Sequence, residues 1–158
     1  MPTVSLVSDG EYAAVVAPLI NAARRRVYAT VFIVDPTDVN GRVDSLVDAL
    51  AEAFWRRVDV RLVIGGSREV FDIATASAGS RAVMATEGIP VRWLTATPVR
   101  GSHAKVVVAD DFSVVGSHNW TTGALSGEQA QESLVVESAP IADELTAFIM
   151  QQWHRSDP

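Results

Sequence analysis

The apolar run Val106–Val108 and the residues that follow it constrain the fold more than any other part of the chain. A continuous apolar run of this length is typical of a central strand that is buried on both faces of a sheet. Asp110-Asp111 interrupts the run and predicts a turn, after which the chain is apolar again. We therefore predict that His103–Ala109 and Ser113–Val115 form the two strands of a hairpin.

Upstream of this hairpin, apolar strands alternate with amphipathic helical patterns. Further strands are expected at Val27–Val34, Asp59–Ile64, Val91–Leu94 and Ser133–Val136. Helices are expected from a capping box at Ser8 and Glu11 to about Arg26, over Val43–Val58, up to about Glu87, and over Pro140–His154. This order predicts an α/β fold with a mixed β-sheet covered by helices on both faces. With 158 residues and 48% hydrophobic composition, we expect residues 1–158 to form a single domain.

Composition excludes several kinds of protein. The chain has no cysteine, so disulfides and thiolate metal sites are ruled out. Its N-terminal residues lack a basic region followed by an apolar one, and no apolar stretch approaches the roughly 20 residues that span a bilayer. We therefore expect no signal peptide, no membrane segment and a cytoplasmic location. The net charge of −6 argues mildly against broad nucleic-acid binding, although a local basic patch would suffice.

Polar residues at the open end of the predicted hairpin point to phosphate chemistry. Side chains alternate along a strand, so His103 and Lys105 point the same way. The returning strand brings Ser117 and Asn119 back beside them. An ammonium, a hydroxyl and an amide can bind phosphate oxygens, while an imidazole can attack phosphorus.

Two short patterns carry a resemblance to a known family. The pattern H-x-K-x4-D from His103 to Asp110, followed by G-S-x-N from Gly116 to Asn119, resembles the HKD motif of the phospholipase D superfamily. Five residues separate Asp110 from Gly116, one fewer than is usual in the family, and we interpret this as a tighter turn. Downstream, Glu132 resembles the family's acidic residue that orients the histidine.

The resemblance implies one lobe of a bilobal fold and a site built from two such motifs. This chain holds only one H-x-K. The family's small bacterial nucleases solve this by homodimerising, so we expect a homodimer in which two copies of His103 face one site across a twofold axis. One His103 would attack phosphorus to form a phosphohistidine, and the other would protonate the leaving oxygen.

The resemblance also implies roles for the neighbouring residues. Lys105 and Asn119 would hold the nonbridging oxygens, and Ser117 would hydrogen-bond the site or the phosphate. Glu132 would accept the Nδ1 proton of His103 and fix its tautomer. Asp110 is grouped with the catalytic residues for its place in the motif, although we expect it to brace the fold. No metal and no cofactor is expected, because lysine and histidine supply the positive charge.

Residues around the motif are candidates for substrate contact. Arg92 and Arg100 flank it and are the favoured basic residues. Trp120 follows it and could stack on a base or pack a subunit interface, of which we favour packing. His118 should point away from Ser117 and Asn119 and is interpreted as structural. A metal site formed by His103, His118 and the aspartates at 110 and 111 lacks the usual ligand spacing and is disfavoured.

Three functions are compatible with this sequence. The favoured one is a metal-independent nuclease that acts on nucleic acid. An alternative is a phospholipase D-type enzyme that hydrolyses phospholipids or transfers their headgroups. A third is a noncatalytic dimeric module that binds phosphate groups, which is disfavoured because every expected catalytic side chain is present. Membership of a larger protein or complex that supplies nucleic-acid affinity stays open.

Overall fold

The computed structural model describes residues 1–37, 40–67, 69–94 and 102–158. The strands in these ranges are β1 (Thr3–Ser8), β2 (Arg26–Val31), β3 (Asp59–Ile64), β4 (Val91–Trp93), β5 (Val106–Ala109), β6 (Phe112–Gly116) and β7 (Glu132–Glu137). They form one sheet in the order β1-β7-β6-β5-β2-β3-β4. The pairs β2–β3 and β3–β4 are parallel, and the other pairs are antiparallel. The sheet is therefore mixed, as predicted.

Helices cover both faces of this sheet, which confirms the predicted fold class. They are α1 (Tyr12–Ala22), α2 (Arg42–Trp55), α3 (Phe71–Thr86), α4 (Thr122–Ser126) and α5 (Ala139–Arg155). One core lies between the sheet and α1 and α2, with Ile20 and Leu46 fully buried. A second core lies under α5, where Ile149 packs with Val108. No helix in the described ranges is both long and apolar enough to cross a bilayer.

The valine run occupies the centre of the sheet. Strand β5 lies between β2 and β6, and all of its residues are buried. Val107 faces the core under α1 and α2, while Val106 and Val108 face the core under α5. Burial on both faces explains why this strand is apolar at consecutive positions rather than at alternate ones.

The structure differs from the sequence prediction near the N-terminus. Residues Thr3–Ser8 form β1, which pairs with β7 and was not predicted. Ser8 makes no helix cap; its hydroxyl donates to the Glu132 carboxylate at 2.8 Å. Helix α1 begins at Tyr12 and ends at Ala22, so the predicted end near Arg26 was too late. The pairing of β1 with β7 joins residues far apart in sequence, which local patterns do not reveal.

Helix α5 covers only part of its face of the sheet. On the uncovered part, register places Leu6 beside Leu134 and Leu134 beside Val115. These side chains are 61%, 45% and 39% exposed, and Val4, two residues before Leu6 on β1 and therefore on the same face, is 55% exposed. We call Val4, Leu6, Val115 and Leu134 the apolar sheet patch.

Two large aromatic side chains on the helices are exposed to solvent. Phe148 on α5 is 42% exposed, and Trp55 at the end of α2 is 62% exposed. The buried stripe of α5 passes through Ala142 and Ile149, seven residues apart. Phe148 is rotated from that stripe by about 100°, the angle between consecutive helical residues, and so lies at its edge.

Candidate active site

His103 and Lys105 meet directly before the start of β5. The Lys105 Nζ atom lies 2.7 Å from Nδ1 and 3.3 Å from Nε2 of His103, and it donates to the His103 carbonyl oxygen at 2.7 Å. The lysine is buried and the histidine is exposed. The structure therefore brings the imidazole and the ammonium together, although both residues precede the regular strand.

Phe32, which directly follows β2, contacts both of these side chains. Its ring centroid lies 4.4 Å from that of His103 and 5.3 Å from Lys105 Nζ, a cation–π arrangement. Partial desolvation of its ring lowers the pKa of His103, and the Lys105 charge lowers it further. Burial also lowers the pKa of Lys105. No sequence pattern indicated Phe32 as a site residue, since an aromatic residue after a strand is most simply assigned to the core.

Ser117 and Asn119, which follow β6, are held by hydrogen bonds to neighbouring backbone and side-chain groups. The Ser117 hydroxyl donates to Gln131 Oε1 at 2.5 Å and accepts from the Glu132 backbone N–H at 3.1 Å. The Asn119 Oδ1 atom accepts from the backbone N–H of Ile33 at 3.3 Å. With that oxygen engaged, the Nδ2 group is the end of the amide suited to meet a phosphate oxygen.

These side chains share one open cavity. It has a volume of about 620 Å³ and is lined by His103, Lys105, Ser117 and Asn119 together with Gln131. Val115 of the apolar sheet patch and Phe148 of α5 also line it. We call it the phosphate cavity, because its polar residues are donors or a nucleophile rather than carboxylates.

Glu132 does not pair with His103 in this arrangement. Its carboxylate accepts from Ser8, whereas Nδ1 of His103 faces Lys105. A charged ammonium only donates, so the nitrogen that it faces must be unprotonated. The expected contact between Glu132 and Nδ1 therefore requires Lys105 to move away from the ring.

Asp110 lies at the opposite end of β5 from the phosphate cavity, which corrects its grouping with the catalytic residues. Five residue steps at about 3.3 Å each place it on the order of 15 Å from Lys105. Its carboxylate accepts from the backbone N–H groups of Arg24, Arg25 and Arg26 at 2.9, 2.9 and 3.1 Å. Partial burial raises the pKa of Asp110, but these N–H donors and the Arg25 charge outweigh it and lower the pKa overall.

Gly116 is required by the close packing of the backbone at this point. A Cβ atom there would overlap the Glu132 carbonyl oxygen and the Ser133 side chain on the neighbouring strand β7. The glycine thus permits the close approach of β7, which begins at Glu132 directly after Gln131, to Ser117.

Trp120 was wrongly assigned to substrate or to a subunit interface. It is fully buried in the core under α1 and α2, and its indole N–H approaches the Tyr12 hydroxyl at 3.5 Å. His118 is fully buried as well, and its ring nitrogens contact Ser133 Oγ and the Asp9 carbonyl oxygen at 2.8 and 3.0 Å. Burial lowers the pKa of His118. Both side chains therefore anchor the loop that carries Ser117 and Asn119.

Arg92 is tied to α5 and, among the described residues, lines neither cavity that borders His103, so a role in substrate binding stays a prediction. Its guanidinium lies 4.5 Å from the Trp153 ring centroid and donates to the Trp153 carbonyl oxygen at 2.9 Å. It belongs to the edge strand β4, and its side chain joins this strand to α5. The other predicted arginine, Arg100, lies outside the described residues.

A second, smaller cavity borders His103 on the α5 side. It has a volume of about 280 Å³ and is lined by Leu94, Ser102, His103, Ala104, Phe148, Gln151, Gln152 and Arg155. Sequence reasoning missed Phe148 and Arg155 as site residues. Their spacing of seven on a helix, which places them on one face, could have indicated them.

The residues of the disfavoured metal site lie apart, since His118 is in the core and Asp110 is at the far end of β5. Within the described ranges, no group of three or more histidine, aspartate or glutamate side chains could hold a metal ion.

Comparison with known proteins identifies relatives of this fold. A family model described as "Cardiolipin synthase, PLD-like domain" matches residues 16–153. None of the curated proteins compared with the chain matches it.

Solved structures resemble the fold over nearly the whole chain. Nuc, a phospholipase D family member of Salmonella typhimurium, has a TM-score of 0.79 at 23% identity and covers 99% of this chain and 97% of its own. NucT of Helicobacter pylori has a TM-score of 0.75 at 15% identity and covers 99% of each chain. The phosphatidylserine synthase of Haemophilus influenzae has a TM-score of 0.70 at 16% identity and covers 92% of this chain but 35% of its own.

Proposed function

Because this chain belongs to the phospholipase D superfamily, whose enzymes act on phosphodiesters, we propose that it is a metal-independent nuclease with one active site shared by two copies. The observation that carries this proposal is the convergence of His103, Lys105, Ser117 and Asn119 on one open cavity. The choice of nucleic acid rests on the resemblance of a chain with a single motif to the small dimeric nucleases of the superfamily.

The reaction runs in two steps at phosphorus. A nitrogen of one neutral His103 attacks, so a P–N bond forms while the P–O bond to the leaving alcohol breaks. His103 of the second copy gives its proton to that alcohol. It then takes a proton from water, whose oxygen attacks phosphorus and breaks the P–N bond. Both imidazoles thereby return to their starting protonation states.

Lys105 has two tasks in this mechanism. In the structure its Nζ atom contacts Nδ1 of His103, but a phosphate oxygen is a charged and stronger acceptor than an imidazole nitrogen. When substrate enters, Lys105 turns toward the phosphate, where Asn119 Nδ2 joins it in stabilising the developing charge. Once the ammonium has left, the neutral imidazole exchanges its proton with water and takes the tautomer with the proton on Nδ1. Nδ1 then donates to Glu132, and Nε2, now unprotonated, is the nitrogen that attacks phosphorus.

The apolar sheet patch supports the proposed homodimer. Four exposed apolar side chains in one region of a sheet face are typical of an interaction site. Val115 belongs to this patch and also lines the phosphate cavity. A twofold interface across the patch would therefore bring two phosphate cavities together, as the proposed mechanism needs.

Phospholipid chemistry is the second candidate. It is favoured by the family description, which names cardiolipin synthase, and by the similarity of the fold to a phosphatidylserine synthase. The same residues would perform the same phosphoryl transfer on a lipid headgroup, so substrate tests separate the two candidates.

The proposal is tested by incubating the protein with single- and double-stranded DNA and RNA in excess EDTA. We expect cleavage by the wild type, none by His103→Ala, and unchanged cleavage by His154→Ala, which removes an exposed histidine outside both cavities. Release of headgroups from phospholipid vesicles without nucleic-acid cleavage would support the second candidate. Failure to turn over any phosphodiester would overturn the enzyme proposal.

A further inference from the structure

We propose that the smaller cavity on the α5 side of His103 is a nucleotide subsite, in which Phe148 stacks on the base next to the scissile phosphate and Arg155 binds the following phosphate. This inference rests on the proposed nuclease function and names how its substrate is held. We call this cavity the flanking subsite.

The flanking subsite is continuous with the phosphate cavity. Both are lined by His103, Ala104 and Phe148. Lys105, Ser117 and Asn119 line only the phosphate cavity, so the phosphate under attack belongs there. One substituent of that phosphate must then lie on the other side of His103, where the flanking subsite opens.

The residues that line the flanking subsite follow one another along α5 in the order in which a bound nucleotide would need them. Phe148, Gln151 and Arg155 are spaced by three and four residues, so they lie along one face of α5. Seven residues of helix separate Phe148 from Arg155 by about 10 Å along the axis. Phe148 lines the phosphate cavity as well, whereas Arg155 lines only the flanking subsite, which is the order that a base followed by a second phosphate requires.

Arg155 and Phe148 both carry unused binding capacity. Among the described residues no carboxylate pairs with the exposed Arg155 guanidinium, which can bind a phosphate through two parallel hydrogen bonds. Phe148 leaves 42% of its surface in solvent beside a reactive histidine. Bases of every kind stack on such a ring, so the subsite fits a nuclease of low sequence preference.

A hydrogen bond holds Gln152, which lines the flanking subsite together with Phe148 and Arg155. Gln152 is 8% exposed, and its Oε1 atom accepts from the Thr30 hydroxyl at 2.7 Å. This bond leaves the Nε2 group of Gln152 as the donor available to the cavity that it lines. The subsite therefore offers amide and guanidinium donors, which suit the sugar and phosphate of a nucleotide.

Two copies of the chain would place two flanking subsites around one scissile phosphate. Twofold symmetry puts them on opposite sides of it, so each side of the cleaved bond would have one base-stacking and one phosphate-binding position. The rate of cleavage would then depend on how many nucleotides the substrate has on each side of the scissile bond.

Short substrates test this inference. The first pair is a dinucleoside monophosphate and the same compound with terminal phosphates at both ends. We expect the wild type to cleave the compound with terminal phosphates with a kcat/KM about tenfold higher. Arg155→Gln should abolish this preference. The second pair is the dinucleoside monophosphate and its analogue with two abasic sugars. We expect a preference of about tenfold for bases, which Phe148→Leu, an apolar replacement, abolishes.

Arg24→Gln is the matched control, because it removes an exposed arginine at the opposite end of the sheet and should keep both preferences. Size-exclusion chromatography checks that each variant keeps its oligomeric state. If the wild type cleaves these compounds and Arg155→Gln keeps the preference for terminal phosphates, the subsite is overturned while the nuclease proposal stands. If the wild type cleaves no nucleotide substrate, the nuclease proposal itself fails and the subsite fails with it.

Discussion

The Nζ atom of Lys105 lies 2.7 Å from Nδ1 of His103, so the ammonium and the imidazole share a hydrogen bond. Partial desolvation of the ring is the larger cause of the lowered pKa of His103, and the neighbouring positive charge is the smaller one. The contact therefore favours a neutral imidazole, the form that can attack phosphorus. It also holds the Lys105 ammonium at a position from which it can bind a phosphate oxygen instead of the ring.

Replacing Lys105 with methionine should raise the pKa of His103. The apolar side chain keeps the ring partly shielded from water but removes the positive charge, so the remaining shift is caused by this desolvation alone. We also expect turnover to fall by about 10²–10³-fold, because an electrostatic contact to the phosphate is lost. NMR titration of the histidine rings measures the pKa directly, and steady-state kinetics measures the turnover.

Lys105→Arg is the control for this experiment, since it keeps the charge and should keep the pKa of His103 low. A pKa that is unchanged in Lys105→Met would contradict the contact between ammonium and ring.

The pH dependence of kcat/KM should be bell-shaped, with its optimum on the acidic side of neutrality. The proposed mechanism needs one neutral and one protonated His103, a state that is most populated between the two coupled proton dissociations. Because the pKa of His103 is lowered, both limbs shift toward acidic pH. A profile measured from pH 4 to pH 9 tests this expectation. An optimum on the alkaline side would rule out the two histidines as acid and nucleophile.

Asp110→Asn should reduce stability by about 1–2 kcal/mol at pH 7, because three backbone N–H groups lose a charged acceptor. Asp111→Asn is the matched control on the neighbouring residue. Asp111 pairs with Arg25 at 2.6 Å on the surface, where both side chains are largely exposed, so its loss should cost less than about 0.5 kcal/mol. Urea unfolding of both variants gives the comparison.

The destabilisation by Asp110→Asn should also depend on pH. The pKa of Asp110 is lower in the folded chain than is usual for aspartate, so its carboxylate adds stability above the unfolded pKa. That contribution disappears as the pH falls through the folded pKa. Wild type and variant should therefore converge in acid, and a difference that grows in acid would contradict the bracing role.

Leu134→Lys should convert the proposed dimer to a monomer and abolish cleavage. Leu134 lies in the middle of the apolar sheet patch, and two copies facing each other across a twofold axis would bury unpaired ammonium groups. Sedimentation or light scattering gives the mass, and the EDTA-resistant nuclease assay gives the activity. Phe71→Lys changes another exposed apolar residue, on α3, and should leave the mass unchanged. A monomeric wild type would remove the basis for a shared site.

The hairpin and the phosphate cavity were predictable because local chemistry determines them. Consecutive valines identify a strand buried on both faces, and the paired polar residues before and after the hairpin meet because β5 and β6 are antiparallel. The fold class followed from the order of the elements, and the structure confirms it.

Other features depend on contacts between distant parts of the chain. Strand β1 was missed because its exposed Leu6 and its partner Leu134 are separated by most of the sequence. Trp120 was misassigned because a loop residue has no periodicity that tells which side of the sheet its ring will enter. Phe148 and Arg155 were missed because the distance of α5 from His103 is set by the packing of the whole sheet.

Two positions of the motif act mainly on the backbone. Asp110 anchors the chain before β2, and Gly116 lets β7 approach β6. A relative could lose the imidazole and the ammonium and still be under selection to keep this aspartate and glycine, because its architecture needs them. Inactive descendants of this fold would then retain much of the spacing that marks the enzymes, and only the histidine and lysine would tell the two apart.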